Sequence, residues 1–404
     1  MKILQINSVY GQGSTGKIVK DIHNQLLENK IDSYVIYGRG KVSNDNNIYK
    51  ISNLFDFGLD LISTRLLNRH GEMNILNTKR VIKKIKAVQP DLIHLHNIHG
   101  YYLNYKMLFD YLKSEKIPVI WLMHDQWAVS GNSAYFDEHI TKFNKKHRQS
   151  IRNNAKEYPK TFHRTTKSVQ RVIRKKEESF SLDNLIIVTP SLWLKKSLEE
   201  TFLKNKNIIM IHNGIKLDSF FPNKLIRPSK KKIILGVASV WDNRKGIEFF
   251  INLAKDLNED YKIILIGVDD KLKKKLPKKI KAINKTESIE KLREMYDLAD
   301  VLINPTLQDN FPTVNIEAQA CGTPVITFNT GGSPESIIDN VTGKIVEKGN
   351  YKQLLEDVRK WPKKNEYIKN ECVKNSRKYS SEEMVNTYME MYGLISKENK
   401  WKDN

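Results

Sequence analysis

NPTLQDNFPTVNIEAQACGTPVITFNTGGSPE, residues 304–335, is the stretch on which the fold turns. Residues 301–304 and 324–328 read as short apolar strands, and VNIEAQA between them reads as a helix with Pro312 suited to its first turn. A strand, a helix and a second strand in so short a span make a β–α–β unit, and so a parallel sheet. Asp309 and Glu317 put one carboxylate at the helix mouth and another two turns inside, where each can accept hydrogen bonds from the hydroxyls of one ligand. Gly331-Gly332-Ser333-Pro334-Glu335 then reads as a flexible loop, an N-cap serine, a proline at the first helical position and an acid in the first turn. Helix capping alone would account for that last piece.

The same alternation runs outward in both directions. Toward the N-terminus it predicts strands at 2–7, 33–37, 91–96, 118–124 and 185–189, with helices near 15–28, 78–88 and 103–114. In the second half it predicts strands at 232–238, 262–267, 301–304, 324–328 and 344–346. The chain is therefore an α/β protein with two halves in tandem, joined near 206–229, where NGIKLDSFFPN and IRPSK supply linker residues. The expected domains are 1–205, with an insertion at 132–179, and 206–380. A closing helix at 381–396 carries Met384, Val385, Tyr388, Met391 and Tyr392 on one face.

Composition narrows the function classes. At 404 residues, two domains are the simplest count, given about 150 residues per domain. No apolar run approaches the ~20 residues needed to cross a bilayer, and the N-terminus enters a strand without the pattern of a signal peptide, so a cytoplasmic location is expected. Only Cys321 and Cys372 are present, too few for a disulfide framework or a zinc cluster. The net charge of +22 concentrates at 142–176 and at 271–281, KLKKKLPKKIK. A field of that size favours an anionic partner, whether nucleic acid, an acidic membrane face or a phosphorylated substrate, unless these runs are only a solvated face.

Three further motifs carry chemistry. GQGSTGKI, 11–18, follows a strand and opens a helix, close to a phosphate-binding loop. Ile18 stands where that loop needs a Ser or Thr hydroxyl for magnesium, which argues against an ATPase. What survives is a glycine loop at a helix N-terminus, suited to any nucleotide diphosphate. HLHNIHG supplies His94, His96 and His99, and His124-Asp125 ends the next apolar run at the same rim. No carboxylate is spaced to complete a metal set, so hydrogen bonding at the carboxyl end of a sheet is the better reading, with structural histidines as the alternative. In VASVWDNRKGIEFF, Arg244 and Lys245 bring two cations to a helix start, a costly placement unless an anion sits there.

Taken in order, these segments resemble retaining glycosyltransferases of family 4, of the colanic-acid and capsular-polysaccharide type. The resemblance also covers VTPSLWL, the NG linker and the closing YSSEEMVNTYMEMY, so it runs nearly end to end. It implies a GT-B fold: two Rossmann-like domains facing across a cleft, with the last helix crossing back to the first. It implies that Glu317 holds the donor ribose, that Asp309 lies beside the donor sugar, and that Arg244 and Lys245 bind the diphosphate. Asn310, Phe311, Thr313, Val314, Gly331 and Gly332 would complete the donor side. Gly13 and Gly16 would let the first domain approach the phosphates, His124 would touch the sugar, and His96, His99 and Asp125 would lie on the acceptor side.

The chain also departs from the family pattern. Asp309 is one methylene shorter than the usual Glu, Ser239 and Val240 replace an Arg, and Lys216 replaces an Asp. There is no DxD triplet, in line with a family that needs no metal or other cofactor. The implied partners are a UDP- or GDP-sugar and a glycan or lipid-linked acceptor, with an anionic membrane surface met by the basic insertion at the inner face of the membrane. A soluble acceptor is the alternative. A nucleic-acid-binding protein is the reading from another class, disfavoured because 142–176 interleaves few aromatics with its cations.

Overall fold

The computed structural model describes residues 1–51, 54–135, 159, 161–162, 165–223 and 230–402. Most of the basic insertion expected at 132–179, and the end of the linker at 224–229, lie outside the described residues. The chain forms two units, one from 1–212 with 385–404 and the other from 213–384.

The first unit is built on a seven-stranded parallel sheet. Its elements are β1 (Lys2–Val9), α1 (Gly13–Glu28), β2 (Asp32–Arg39), β3 (Ile48–Lys50), α2 (Leu54–Leu67), α3 (Ile75–Val88), β4 (Leu92–Leu95), α4 (Tyr105–Glu115), β5 (Val119–Leu122), α5 (Thr166–Ser179), β6 (Leu185–Thr189), α6 (Leu192–Glu199) and β7 (Asn207–Met210). The strand order is β3-β2-β1-β4-β5-β6-β7. β1, β4 and β5 are almost wholly buried, because helices cover both faces of such a sheet and its strands become continuous apolar runs. Asn104 caps α4 and Ser191 caps α6 through their side chains. Tyr102, Tyr105, Phe109, Trp121, Trp127 and Phe180 form the aromatic part of the core.

The second unit repeats the plan in β8 (Lys232–Val237), α7 (Ile247–Asp256), β9 (Tyr261–Ile266), α8 (Asp270–Lys273), β10 (Ile280–Ile283), α9 (Ile289–Leu298), β11 (Val301–Asn304), α10 (Thr313–Ala320), β12 (Val325–Phe328), β13 (Gly343–Val346), α11 (Tyr351–Lys360) and α12 (Glu366–Ser376). Its parallel sheet has the order β10-β9-β8-β11-β12-β13. Counted from each unit's first strand, both sheets begin 3-2-1-4-5-6, the doubly wound order of a dinucleotide-binding fold. Alternation along β11 sends Val301 and Ile303 to one core cluster and Leu302 to the other.

The last helix, α13 (Ser381–Lys402), begins in the second unit and belongs to the first from Val385 onward. Met384, Val385, Tyr388, Met391 and Tyr392 are all buried, as their spacing predicts. Tyr392 meets His94 Nδ1 through its hydroxyl at 2.6 Å, and the Tyr388 ring lies 5.0 Å from that imidazole. β7 extends the first sheet into the segment read as linker from the sequence.

Candidate functional site

In a doubly wound sheet, the loops leaving the two strands beside the point where the order reverses diverge to opposite faces and leave a crevice. In the second unit these strands are β8 and β11, and the loops that follow carry Lys245 and Asp309. The Lys245 ammonium donates to Asp309 Oδ2 at 2.6 Å, with the two side chains 19% and 15% exposed. The anion required by the cations before α7 is thus supplied here by Asp309. Arg244 Nη1 donates to the Gln308 carbonyl at 3.0 Å, and the Leu307 N–H returns a bond to the Arg244 carbonyl at 2.7 Å. Gly246, at φ +76°, makes this approach possible: a Cβ there would stand 2.2 Å from the Pro305 carbonyl oxygen. Gly331, at φ +55°, is as constrained, since its Cβ would fall 1.7 Å from the Asp309 carbonyl oxygen.

Glu317 lies in the second turn of α10, not two turns inside it, and its Oε2 accepts the Tyr296 hydroxyl at 2.8 Å. Burial and the neighbouring Glu317 carboxylate push the Tyr296 phenol well up, so it remains a donor. Thr313 and Val314 form the half-buried first turn of α10, Asn310 and Phe311 are buried in the loop before it, and the Phe311 ring sits 5.7 Å from Tyr379. Pro312 occupies the N-cap position, one residue earlier than the first turn expected for it. The capping expectation for Ser333 is also corrected. Gly332 takes the cap position, and Ser333 starts a 3₁₀ turn over Ser333–Ser336, with an Oγ that makes no hydrogen bond among the described residues. The Gly332 N–H instead donates to the Asp309 carbonyl at 3.3 Å, joining the glycine loop to the acidic one.

Beneath these groups lies an amide network that the motif reading missed. Asn304 donates to Asn315 Oδ1 at 2.8 Å, and Asn315 donates to Ser336 Oγ at 3.3 Å. Gln319 donates to the Ser336 carbonyl at 2.8 Å, and Asn375 donates to Gln319 Oε1 and that same carbonyl at 2.8 and 2.9 Å. All four amides are buried. Buried amides must find partners, so this network fixes α10 against the turn after Gly332 and orients Glu317. Its sequence signal was Asn315 and Gln319, two amides one turn apart that alternate with Ile316, Ala318 and Ala320.

In the first unit, α1 starts at Gly13 with Gln12 in the cap position and no side chain capping it. Gly16 lies in the first turn, its carbonyl accepting the Gly11 N–H at 2.9 Å. The histidines after β4 and β5 form a chain. Gln5 donates to the Val19 carbonyl, which leaves its Oε1 to accept His96 Nε2 at 3.1 Å, and His124 Nε2 then donates to His96 Nδ1 at 3.4 Å. His96 is 1% exposed, which places it behind the half-buried His124. His94 stacks on His96 with ring centroids 4.1 Å apart. Burial pulls His94 down to about 3, His124 to about 4 and His96 well below its ordinary value, so all three are neutral at pH 7. His99 Nε2 meets Asp125 Oδ2 at 2.9 Å, and this imidazole holds the carboxyl below the usual range despite its burial. His70, not singled out from the sequence, sits between two donors, with Nδ1 3.2 Å from Trp127 Nε1 and Nε2 3.3 Å from the Gly100 nitrogen, of which a neutral imidazole accepts one. Among the described residues, no group of three His, Cys, Asp or Glu side chains is placed to hold a metal ion.

Residues 15–219 match the profile described as Glycosyltransferase Family 4, and residues 219–379 match Glycosyl transferases group 1. The chain belongs to glycosyltransferase family 4. One relative is WcaC of Escherichia coli, a putative colanic acid biosynthesis glycosyl transferase, 28% identical over 34% of this chain and 36% of its own length. The chain thus spans about a third of that relative. An uncharacterized 41.2 kDa protein in the cps region of Klebsiella pneumoniae is 24% identical over 93% of this chain and 96% of its own. Among solved structures, Anabaena HepE in complex with UDP superposes with a TM-score of 0.63 at 14% identity, covering 98% of this chain and 100% of HepE. The two Rossmann-like units of this family 4 chain are those of the GT-B glycosyltransferases. Among the described residues, no helix is long and apolar enough to cross a membrane.

Proposed function

We propose that this chain transfers a sugar from a nucleotide diphosphate sugar, with retention of anomeric configuration, to a lipid-linked glycan on the cytoplasmic face of a bacterial membrane during surface polysaccharide assembly. The observation that carries the reading is the meeting of Lys245 and Asp309 at the switch point of the second sheet, with Glu317 on the adjoining helix. Its support from relatives is that HepE was solved with UDP and with UDP-glucose, and that matched proteins are named for colanic acid and capsular polysaccharide biosynthesis.

In this reading Glu317 accepts hydrogen bonds from the donor ribose, and the glycine loop at Gly331 and Gly332 leaves room for the donor beside Asp309. Lys245 exchanges its Asp309 contact for the diphosphate, assisted by Arg244. As the bond from the anomeric carbon to the diphosphate oxygen breaks, negative charge grows on the leaving group, and cations that meet that growth lower the barrier. The acceptor oxygen bonds to the anomeric carbon on the same face, and its proton passes to a diphosphate oxygen, so nucleoside diphosphate leaves and no protein nucleophile or metal is called for. For the first unit the reading keeps Gly13 and Gly16 for the phosphates, His124 for the sugar, and His99 and Asp125 for the acceptor, with His96 orienting His124.

The test is thermal stabilisation by intact UDP-, GDP-, ADP- and TDP-sugars. A ligand bound only by the folded state at a hundredfold excess over Kd adds about 2.7 kcal/mol of stability. One donor class should raise Tm in the native chain, and Glu317→Ala should abolish that rise. An unchanged shift in the variant would remove the central assignment.

A further inference from the structure

α2 is turned inside out with respect to water. Its buried positions are Asp56, Asp60, Ser63 and Thr64. Leu54, Phe55, Ile62, Leu66 and Leu67 are 89%, 65%, 57%, 49% and 52% exposed. A surface helix of a water-soluble domain normally shows the reverse pattern. The inward polar face holds the structure together: Asp56 Oδ2 accepts the Asn77 N–H at 2.9 Å, and Asp60 Oδ1 accepts the Gly71 N–H at 3.1 Å. On the outward face Phe55, Leu59, Ile62 and Leu66 follow one another by four, three and four residues, a single apolar stripe about 16 Å long. Phe162, 80% exposed, lies at its end, with its N–H on the Arg65 carbonyl at 2.8 Å. A contiguous exposed apolar surface of this kind marks an interaction site.

The charges on α2 and on the helix in contact with it, α3, say what the stripe meets. Between residues 54 and 86 every exposed charge is positive: Arg65, Arg69, Lys79, Arg80, Lys83 and Lys86. Asp56 and Asp60 are buried, and Glu72 is engaged by Lys175 at 2.6 Å. On α3, Arg80, Lys83 and Lys84 join Lys50 to line an open pocket of about 660 Å³ that, among the described residues, no carboxylate lines. A second copy of this chain would set the same positive charge against itself. An apolar face on a helix whose neighbour, α3, carries cations and no acid suits the boundary of an anionic bilayer, where acyl chains receive the stripe and head groups meet the cations.

We propose that the outer face of α2 docks on an anionic lipid bilayer, with the cations of α3 on its phosphates, an assignment that rests on the lipid-linked acceptor proposed above. The full chain should float with vesicles of phosphatidylcholine and phosphatidylglycerol, and only weakly with phosphatidylcholine alone. Phe55→Ser/Ile62→Ser/Leu66→Ser should weaken that binding at least tenfold. Arg80→Gln/Lys83→Gln should remove the preference for the anionic vesicles. Both variants alter exposed side chains, so the donor-induced thermal shift should persist in each and report an intact fold. Native-like vesicle binding by the triple variant would overturn the assignment, as would a native chain that ignores anionic vesicles. It would also fall if the native chain sediments as a dimer that the triple variant converts to monomer while vesicle binding is unchanged, because the face would then belong to a second copy. Vesicle binding without any donor shift would remove the transferase reading and leave the docking face standing.

Discussion

His94, His96 and His124 are three neutral imidazoles packed in series inside the first unit, and they make its stability sensitive to acid. Each has an ordinary value near 6.5 when the chain is unfolded and a depressed one when folded, about 3 for His94 and about 4 for His124. Below pH 6.5 the unfolded chain therefore binds protons that the folded chain does not, and stability falls as pH drops toward those folded values. Each histidine contributes up to about 1.4 kcal/mol per pH unit in that window. Asp60, pushed up to about 7 by burial, acts in the opposite sense, stabilising the fold below its unfolded value near 4 and losing that contribution as pH rises toward 7. His94→Gln should flatten the fall in urea midpoint between pH 6 and pH 5 by up to that single-histidine amount, and an unchanged slope would contradict the burial argument. Single residues were legible to the extent that their roles were local. Lys245, Asp309 and Glu317 stand in readable motifs, whereas Tyr296 reaches Glu317 across 21 residues of sequence and leaves no local trace. Ser333 misled because serine before proline and glutamate is a cap signal, while the backbone here turns one residue earlier, at Gly332.

At the scale of elements, α10 depends on what is beneath it. Asn375 reaches from α12 to bond both Gln319 Oε1 and the Ser336 carbonyl, so one side chain anchors the helix that carries Glu317 and the turn that follows the glycine loop. Asn375→Ala should cost about 1–3 kcal/mol in chemical denaturation, because the buried Gln319 Oε1 loses this donor and the Ser336 carbonyl keeps only that of Gln319. The donor-induced shift should weaken with it, although Asn375 itself lies off the loops. Elements with apolar runs were readable: β6 and β11 fall where the sequence predicts them, at Leu185–Thr189 and Val301–Asn304. β3 was not, since it has only three residues at the sheet edge. β10 is hidden at the end of a lysine-rich run, and β7 lies where polar residues suggested a linker. α2 escaped for a different reason. Its buried face is polar, so a search for an apolar stripe facing a core has nothing to find.

At the scale of the molecule, the repeated strand order follows from the repeated β–α pattern and was readable for that reason. The discontinuity of the first unit follows instead from contacts between distant parts of the chain. Its sheet is complete by β7, but Val385–Asn404 returns to it after the whole second unit. Removing residues 385–404 should accelerate amide exchange in β4, whose His94 loses Tyr392 and Tyr388, and leave β8 and β11 as protected as before. Equal deprotection of both sheets would show that α13 belongs as much to the second unit.

The bond between His94 and Tyr392 spans 298 residues. At about 5–20 residues per second on the ribosome, roughly 15–60 s pass between the synthesis of its two ends. Throughout that interval His94 has neither the Tyr392 hydroxyl nor the Tyr388 ring beside it. A chain cut short before α13 never gains the Tyr392 and Tyr388 contacts to His94. The last helix is thus the part of the first unit that is made last, and the surroundings of His94 are complete only after the second unit has been synthesised.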